Sequence, residues 1–208
     1  TYFVPFGIYT IGFFIVQLIL ERAAHERYLA ELSASLENEV NVVTRQMEVD
    51  PLTGAFNRNK FPAATHDFMR ISLEIKEPFA LIMFDIDHFK NINDTYGHDG
   101  GDKILKSLAK ILIDNTKGRD VVARFGGEEF CVVLKKIERE EAIKFFVNLR
   151  AKVAENEIII KDKIVRVTVS IGISFGKGHC EIDDMLEACD SALYVAKENG
   201  RNRVEIAL

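Results

Sequence analysis

A chain of 208 residues, 48% of them apolar, holds enough hydrophobic material for one sizeable core and an appendage. Its formal net charge of −5 argues against a nucleic-acid-binding surface, which is normally basic. Cys131, Cys180 and Cys189 form neither a CxxC pair nor a zinc spacing, so they read as reduced thiols of a reducing compartment, with Cys131 as core.

Residues 3–20 carry no charge, over a length close to the minimum that spans a bilayer. Arg22 and Arg27 follow at once, as on the cytoplasmic side of a span. No basic stretch precedes the run and no small-residue cleavage site follows it, which argues against a cleaved signal peptide. Residues 1–20 are therefore expected to be the end of a transmembrane region, with a buried helix of a sensor domain as the alternative. The first residue is Thr1 rather than Met, and a region upstream of it is expected. Residues 21–48 contain neither Gly nor Pro and read as one long helix. Leu29, Leu32, Leu36, Val40, Val43 and Met47 recur at steps of 3, 4, 4, 3 and 4, a narrow stripe that predicts a short coiled coil with one skip in the heptad. An amphipathic helix lying on its own domain is the alternative. Asp50-Pro51 breaks the helix and opens a domain at 50–208.

Within that domain the patterns predict a helix over 55–76, a strand over 79–85, a short helix after Asp87 and a longer one over 99–114. A hairpin follows at 121–134, then a helix over 138–155 and a second hairpin at 158–174, where Val165, Val167, Val169 and Ile171 alternate with polar or small residues. A helix over 183–199 and a strand at 204–206 close the chain. Helices over one side of a mainly antiparallel sheet make an α+β, ferredoxin-like arrangement.

Two acidic clusters stand out. The unbroken apolar run Phe-Ala-Leu-Ile-Met-Phe at 79–84 reads as a strand buried on both faces, and Asp85-Ile86-Asp87 sits at its carboxyl end, where α/β sheets tend to bind ligands. Alternation points both carboxylates to one side, and Asp87 is also expected to serve as a helix N-cap. Arg124-Phe-Gly-Gly-Glu-Glu-Phe130 reads as a hairpin whose glycines make a tight turn with two carboxylates at its tip. Adjacent carboxylates repel unless a cation or proton sits with them. A metal-bound phosphate ligand would meet that need, and a solvated acidic turn is the plain alternative.

Asp85-Ile-Asp-His-Phe-Lys-Asn-Ile-Asn-Asp94, Gly97-His98 with Gly101-Asp102, and Gly126-Gly-Glu-Glu-Phe130 together resemble the GGDEF family of diguanylate cyclases, in a GGEEF variant. Asp50-Pro-Leu-Thr-Gly-Ala-Phe-Asn-Arg58 resembles that family's opening motif, and Ser170-Ile-Gly-Ile-Ser174 and Ala192–Arg203 its later blocks. The resemblance covers about 48–208 with every motif in order, and it implies a palm-like fold.

It also implies an activity: condensation of two GTP into cyclic di-GMP and two pyrophosphates in bacterial second-messenger signalling. Two Mg²⁺ per site, with Mn²⁺ as a substitute, suit oxygen ligands from Asp85 and Glu128; by resemblance the Ile86 carbonyl and Glu129 complete the metal site. By the same resemblance Glu129 is expected to assist deprotonation of the 3′-hydroxyl. Lys90, Lys197 and Arg201 match phosphate-contacting positions, with backbone N–H groups near Phe89. Asn93 and Asp102 match the pair that reads the guanine edge, and Asp102 favours GTP on both sides. His88 and His98, with no third His or Cys nearby, read as turn-stabilising, and Arg124 as a partner of nearby carboxylates. Where relatives carry an Arg-x-x-Asp product-inhibition site, this chain has Lys117-Gly-Arg-Asp120; Lys lacks the planar fork of Arg, so weak feedback is expected, or an ordinary charged turn. One pocket per domain and two nucleotides per product require a homodimer, through the N-terminal helix and across facing sites. The expected location is the inner membrane, with the catalytic domain in the cytoplasm. A GTP- or dinucleotide-binding module without catalysis is the competing reading.

Overall fold

The computed structural model describes residues 6–118, 120–176 and 182–207, without the side chains of 6–11, 14 and 37–47. The chain forms two compact units, 1–47 and 48–208. The first consists of helix α1 (Phe6–Glu48), which runs 43 residues to the start of the second unit. Leu29, Leu32 and Leu36 are exposed along it at 48%, 43% and 53%, so the predicted stripe is exposed over its described part. Val40, Val43 and Met47 lie outside the described side chains. The expected membrane segment begins before the described residues, and among those described no helix is long and apolar enough to cross a membrane.

The second unit is built on a six-stranded sheet. Its strands are β1 (Phe56–Asn57), β2 (Phe79–Ile86), β3 (Val121–Arg124), β4 (Glu129–Lys135), β7 (Val169–Gly176) and β8 (Val204–Ile206), in the order β1-β3-β4-β2-β7-β8. The outer pairs β1–β3 and β7–β8 are parallel, and the three inner pairings are antiparallel. A separate hairpin joins β5 (Ile158–Ile160) and β6 (Lys163–Val165). Helices α2 (Lys60–Glu74), α3 (Phe89–Tyr96), α4 (His98–Asn115), α5 (Arg139–Glu155) and α6 (Ile182–Glu198) complete the unit.

Central strand β2 decides the layering. All eight of its residues are buried. Ala80, Ile82, Phe84 and Ile86 pack into one core with Ile104, Leu108 and Leu112 of α4 and Phe146 and Leu149 of α5. Phe79, Leu81 and Met83 pack on the other face with Phe61 and Met69 of α2 and Met185, Cys189 and Leu193 of α6. Helices therefore cover both faces, which corrects the expectation of a one-sided cover. A strand apolar at every position needs apolar partners on both sides.

Two further expectations change. Residues 158–174 do not form one hairpin: Lys161 and Asp162 turn through positive φ, 48° and 62°, and close the small β5–β6 pair. β7 then enters the main sheet beside β2. Alternation gives a strand's two faces but not its partner. The helix predicted from 55 begins only at Lys60, because Phe56 and Asn57 pair with Ala123 and Arg124. A two-residue strand is too short to leave a periodicity. Cys131 and Cys189 are fully buried, and burial pushes both thiols well above the ordinary range, which keeps them inert.

Candidate active site

Asp85 continues the row of Phe79, Leu81 and Met83 to the rim of the α2–α6 face, where the apolar run of β2 stops. The register sets it opposite Glu129 of β4 on one side and Ser170 of β7 on the other. Cross-strand partners point to the same face, so Asp85 and Glu129 share that rim, with Glu128 beside them in the turn. Lys197 reaches over from the last turn of α6, with Nζ 2.8 Å from Asp85 Oδ2. Burial raises the Asp85 pKa; Lys197 opposes this without cancelling it, and Asp87 adds to the rise. Burial also raises Glu128, reinforced by Asp85 and Glu129 and opposed by Lys197. The cluster holds more negative than positive charge, and a further cation would relieve it.

The signature turn is held from outside. Arg124 donates through Nε to the Gly126 carbonyl at 3.2 Å and through NH2 to the Gly127 carbonyl at 2.7 Å. Its NH1 lies 3.2 Å from both carboxylate oxygens of Asp50. Asp50 also accepts from the N–H and hydroxyl of Thr53, at 2.9 and 2.6 Å. Burial would raise Asp50, but the Thr53 hydrogen bonds and the Arg124 charge outweigh it and hold the carboxyl below its usual 3.8. The opening motif thus fixes the turn that carries Glu128 and Glu129. Neither Gly126 nor Gly127 has a positive φ. At Gly126 a Cβ would sit 2.8 Å from Glu129 Oε2, so a side chain there would displace that carboxylate.

α6 ends in a Schellman motif. The Gly200 N–H donates to the Lys197 carbonyl at 3.3 Å and the Arg201 N–H to the Ala196 carbonyl at 3.0 Å, with Gly200 at φ 107°. That turn brings Lys197 and Arg201 to the same end of the helix, and the charge of Arg201 is felt at Asp85. Asp87 is not a helix cap, for no side chain caps α3. Its carboxylate instead accepts from the Thr168 and Ser170 hydroxyls, each at 2.6 Å, and from the Asn202 N–H at 3.0 Å. Sequence reasoning missed these partners because they lie 81 to 115 residues away.

The remaining expected residues lie on α3 and α4. His88 precedes α3 with φ 59° and turns the chain out of the sheet. Phe89 is buried under the helix, and Lys90 stands exposed on it. Gly97, at φ 78°, joins α3 to α4, and exposed His98 is the first residue of α4. Asn93 of α3 packs over Gly101 of α4, where any Cβ would overlap its Oδ1 and come within 3.1 Å of the Phe89 ring. Asp102, half-buried, follows directly.

Asp85, Glu128, Glu129 and the Ile86 carbonyl offer only hard oxygen donors, which fit a divalent cation such as Mg²⁺. Among the described residues no three carboxylate, imidazole or thiol groups converge into an all-protein metal cage. In the Lys117–Asp120 segment, Asp120 accepts from the Lys117 N–H at 2.7 Å and the Lys135 N–H at 3.0 Å. Arg119 lies outside the described residues.

Residues 47–203 match the family described as "Diguanylate cyclase, GGDEF domain". The chain belongs to the GGDEF diguanylate cyclase domain family. Among curated relatives, this GGDEF chain is 44% identical over 135 residues to diguanylate cyclase A of Treponema denticola, spanning 64% of this chain and 36% of that protein. It is 39% identical over 155 residues to the diguanylate cyclase DgcM of Escherichia coli K12, spanning 74% of this chain and 37% of that one. The chain thus spans little more than a third of the curated relatives it matches. Among solved structures it resembles the coiled coil and GGDEF domain of DgcB from Caulobacter crescentus, in complex with c-di-GMP, with TM-score 0.80 and 28% identity, covering 88% of this chain and 98% of that one. It also resembles the active GGEEF domain of a diguanylate cyclase from Vibrio cholerae, with TM-score 0.67 and 35% identity, covering 73% and 97%.

Proposed function

We propose that this GGDEF chain is the catalytic part of a diguanylate cyclase that joins two GTP into cyclic di-GMP and two pyrophosphates, working as a dimer. The observation that carries this reading is one rim where Asp85 faces Glu129, Glu128 adjoins them, and Lys197 and Arg201 close in from α6. In each half of the reaction the 3′-hydroxyl of one GTP attacks the α-phosphorus of the other. The new P–O bond forms as the bond to the β-phosphate oxygen breaks, and pyrophosphate leaves with the electron pair. Asp85, Glu128, Glu129 and the Ile86 carbonyl would hold two Mg²⁺, or Mn²⁺, which when bound activate the hydroxyl and neutralise the leaving oxygens.

The chain's own groups do the rest. Glu129 takes the hydroxyl proton and passes it to solvent. Lys197 turns from Asp85 to the phosphate oxygens as nucleotide enters, beside Arg201, Lys90 and the N–H groups around Phe89. Asn93 and Asp102 read the guanine edge, with Gly101 leaving room for Asn93. Exposed Leu29, Leu32 and Leu36 support pairing of two α1 helices, which would bring two domains face to face. Residues 1–20, uncharged from 3 to 20 and followed by Arg22 and Arg27, would form the end of a membrane region of the inner membrane, with the domain in the cytoplasm. Feedback at Lys117–Asp120 is weak or absent in this reading, because Lys117 lacks the planar fork of Arg. The test is incubation of the purified chain with GTP and Mg²⁺, with products separated by chromatography beside a Glu128→Gln control. Cyclic di-GMP from the parent alone supports the reading; no product at high protein concentration leaves a nucleotide-binding module.

A further inference from the structure

We infer that Asp87 is a positioning residue of the phosphate-binding side: through the Asn202 N–H it holds the loop that presents Lys197 and Arg201. The inference rests on the proposed cyclase reading. Asp87 is itself 4% exposed, and its carboxylate is occupied by Thr168, Ser170 and Asn202. It therefore does not offer an oxygen to substrate. It is fixed in place, since its own N–H donates to the Thr168 carbonyl at 2.9 Å.

The loop it grips needs an external hold. After Gly200, at φ 107°, Arg201 and Asn202 also have positive φ, at 63° and 47°, a region that L residues disfavour. The Asn202 N–H finds its acceptor on Asp87, while Arg150 donates to the Asn202 carbonyl at 3.2 Å and to its Oδ1 at 2.6 Å. The Lys197 carbonyl accepts from both the Gly200 N–H and the Arg201 side chain. A shift at Asn202 is thus passed to both cations. Because Asp85 and Asp87 share one strand end, the same three residues set the carboxylate centre and its distance to the phosphate-binding cations. Further along, the Ile171 N–H donates to the Arg203 carbonyl at 2.9 Å, so loss of the Asp87 contact loosens the loop without freeing it.

The test measures binding of an α,β-methylene GTP analogue with Mg²⁺, and of GMP, to the full chain by calorimetry. Asp87→Ala is expected to weaken the triphosphate about tenfold and GMP by less than about twofold, the loss of a charge-assisted hydrogen bond acting through the cations. Asp87→Asn keeps an acceptor for the Asn202 N–H and should stay within about threefold of the parent. In a Lys197→Ala/Arg201→Ala background, Asp87→Ala should add no further loss, which a merely structural role would not produce. Equal weakening of GMP and triphosphate, or an undiminished effect in that background, would overturn the inference. A parent that binds neither nucleotide overturns the functional reading and the inference together; a binding parent with an unaltered Asp87→Ala variant overturns the inference alone.

Discussion

Glu128 and Asp50 show carboxylates driven in opposite directions by their surroundings. Glu128 is raised by burial and by its acidic neighbours, so its charge costs the apo fold stability at neutral pH. Glu128→Gln should therefore melt at or above the parent's temperature in chelator, while cyclic di-GMP formation with Mg²⁺ falls by about a hundredfold or more. Added Mg²⁺ should raise the melting temperature of the parent and not of the variant. Asp50 is depressed below 3.8, so its contribution is fully present above that value and is lost as pH falls through its folded pKa. Asp50→Asn should be less stable than the parent at pH 7, with the gap closing in acid below 3.8. Urea melts at a series of pH values check this.

At the scale of elements, two close approaches separate stability from binding. β7 and α6 meet at Gly172, where a Cβ would stand 2.6 Å from the Leu193 N and 3.1 Å from its Cα. Helix backbone cannot yield as a side-chain tip does, so Gly172→Ala should cost about 1–3 kcal/mol or more in urea melts and displace Lys197 with its helix. At Gly101 the nearest atoms a Cβ would meet are the ends of the Asn93 and Phe89 side chains. Gly101→Ala gains up to about 1 kcal/mol of helix propensity, so stability should hardly change. If Asn93 reads the guanine edge as proposed, the GTP KM should still rise about tenfold, because the added methyl displaces Asn93.

For the whole molecule, unit 48–208 contains its own core, and unit 1–47 carries the exposed leucine stripe. A chain cut to 48–208 should keep its melting temperature and GTP affinity. Its specific activity should fall and rise steeply with protein concentration, since product then depends on chance encounters of two domains. Sedimentation and initial rates on the same samples decide it; unchanged activity at low concentration would remove the helix from the dimer.

The strand read at 79–85, both hairpin arms at 121–134 and the long helices were legible in the sequence, because each is long enough to show its period. The motif residues were legible as a set because Asp85, Glu128, Glu129, Lys197 and Arg201 keep the order and spacing of a family pattern. What sequence could not hold was partnership. The pairing of β7 with β2, the cover on both sheet faces, the clasp of Arg124 on Asp50 and the grip of Asp87 on Asn202 all join residues far apart in the chain. Local propensity and periodicity act over a few residues, whereas these contacts form only when burial of the β2 core brings distant segments to the same rim.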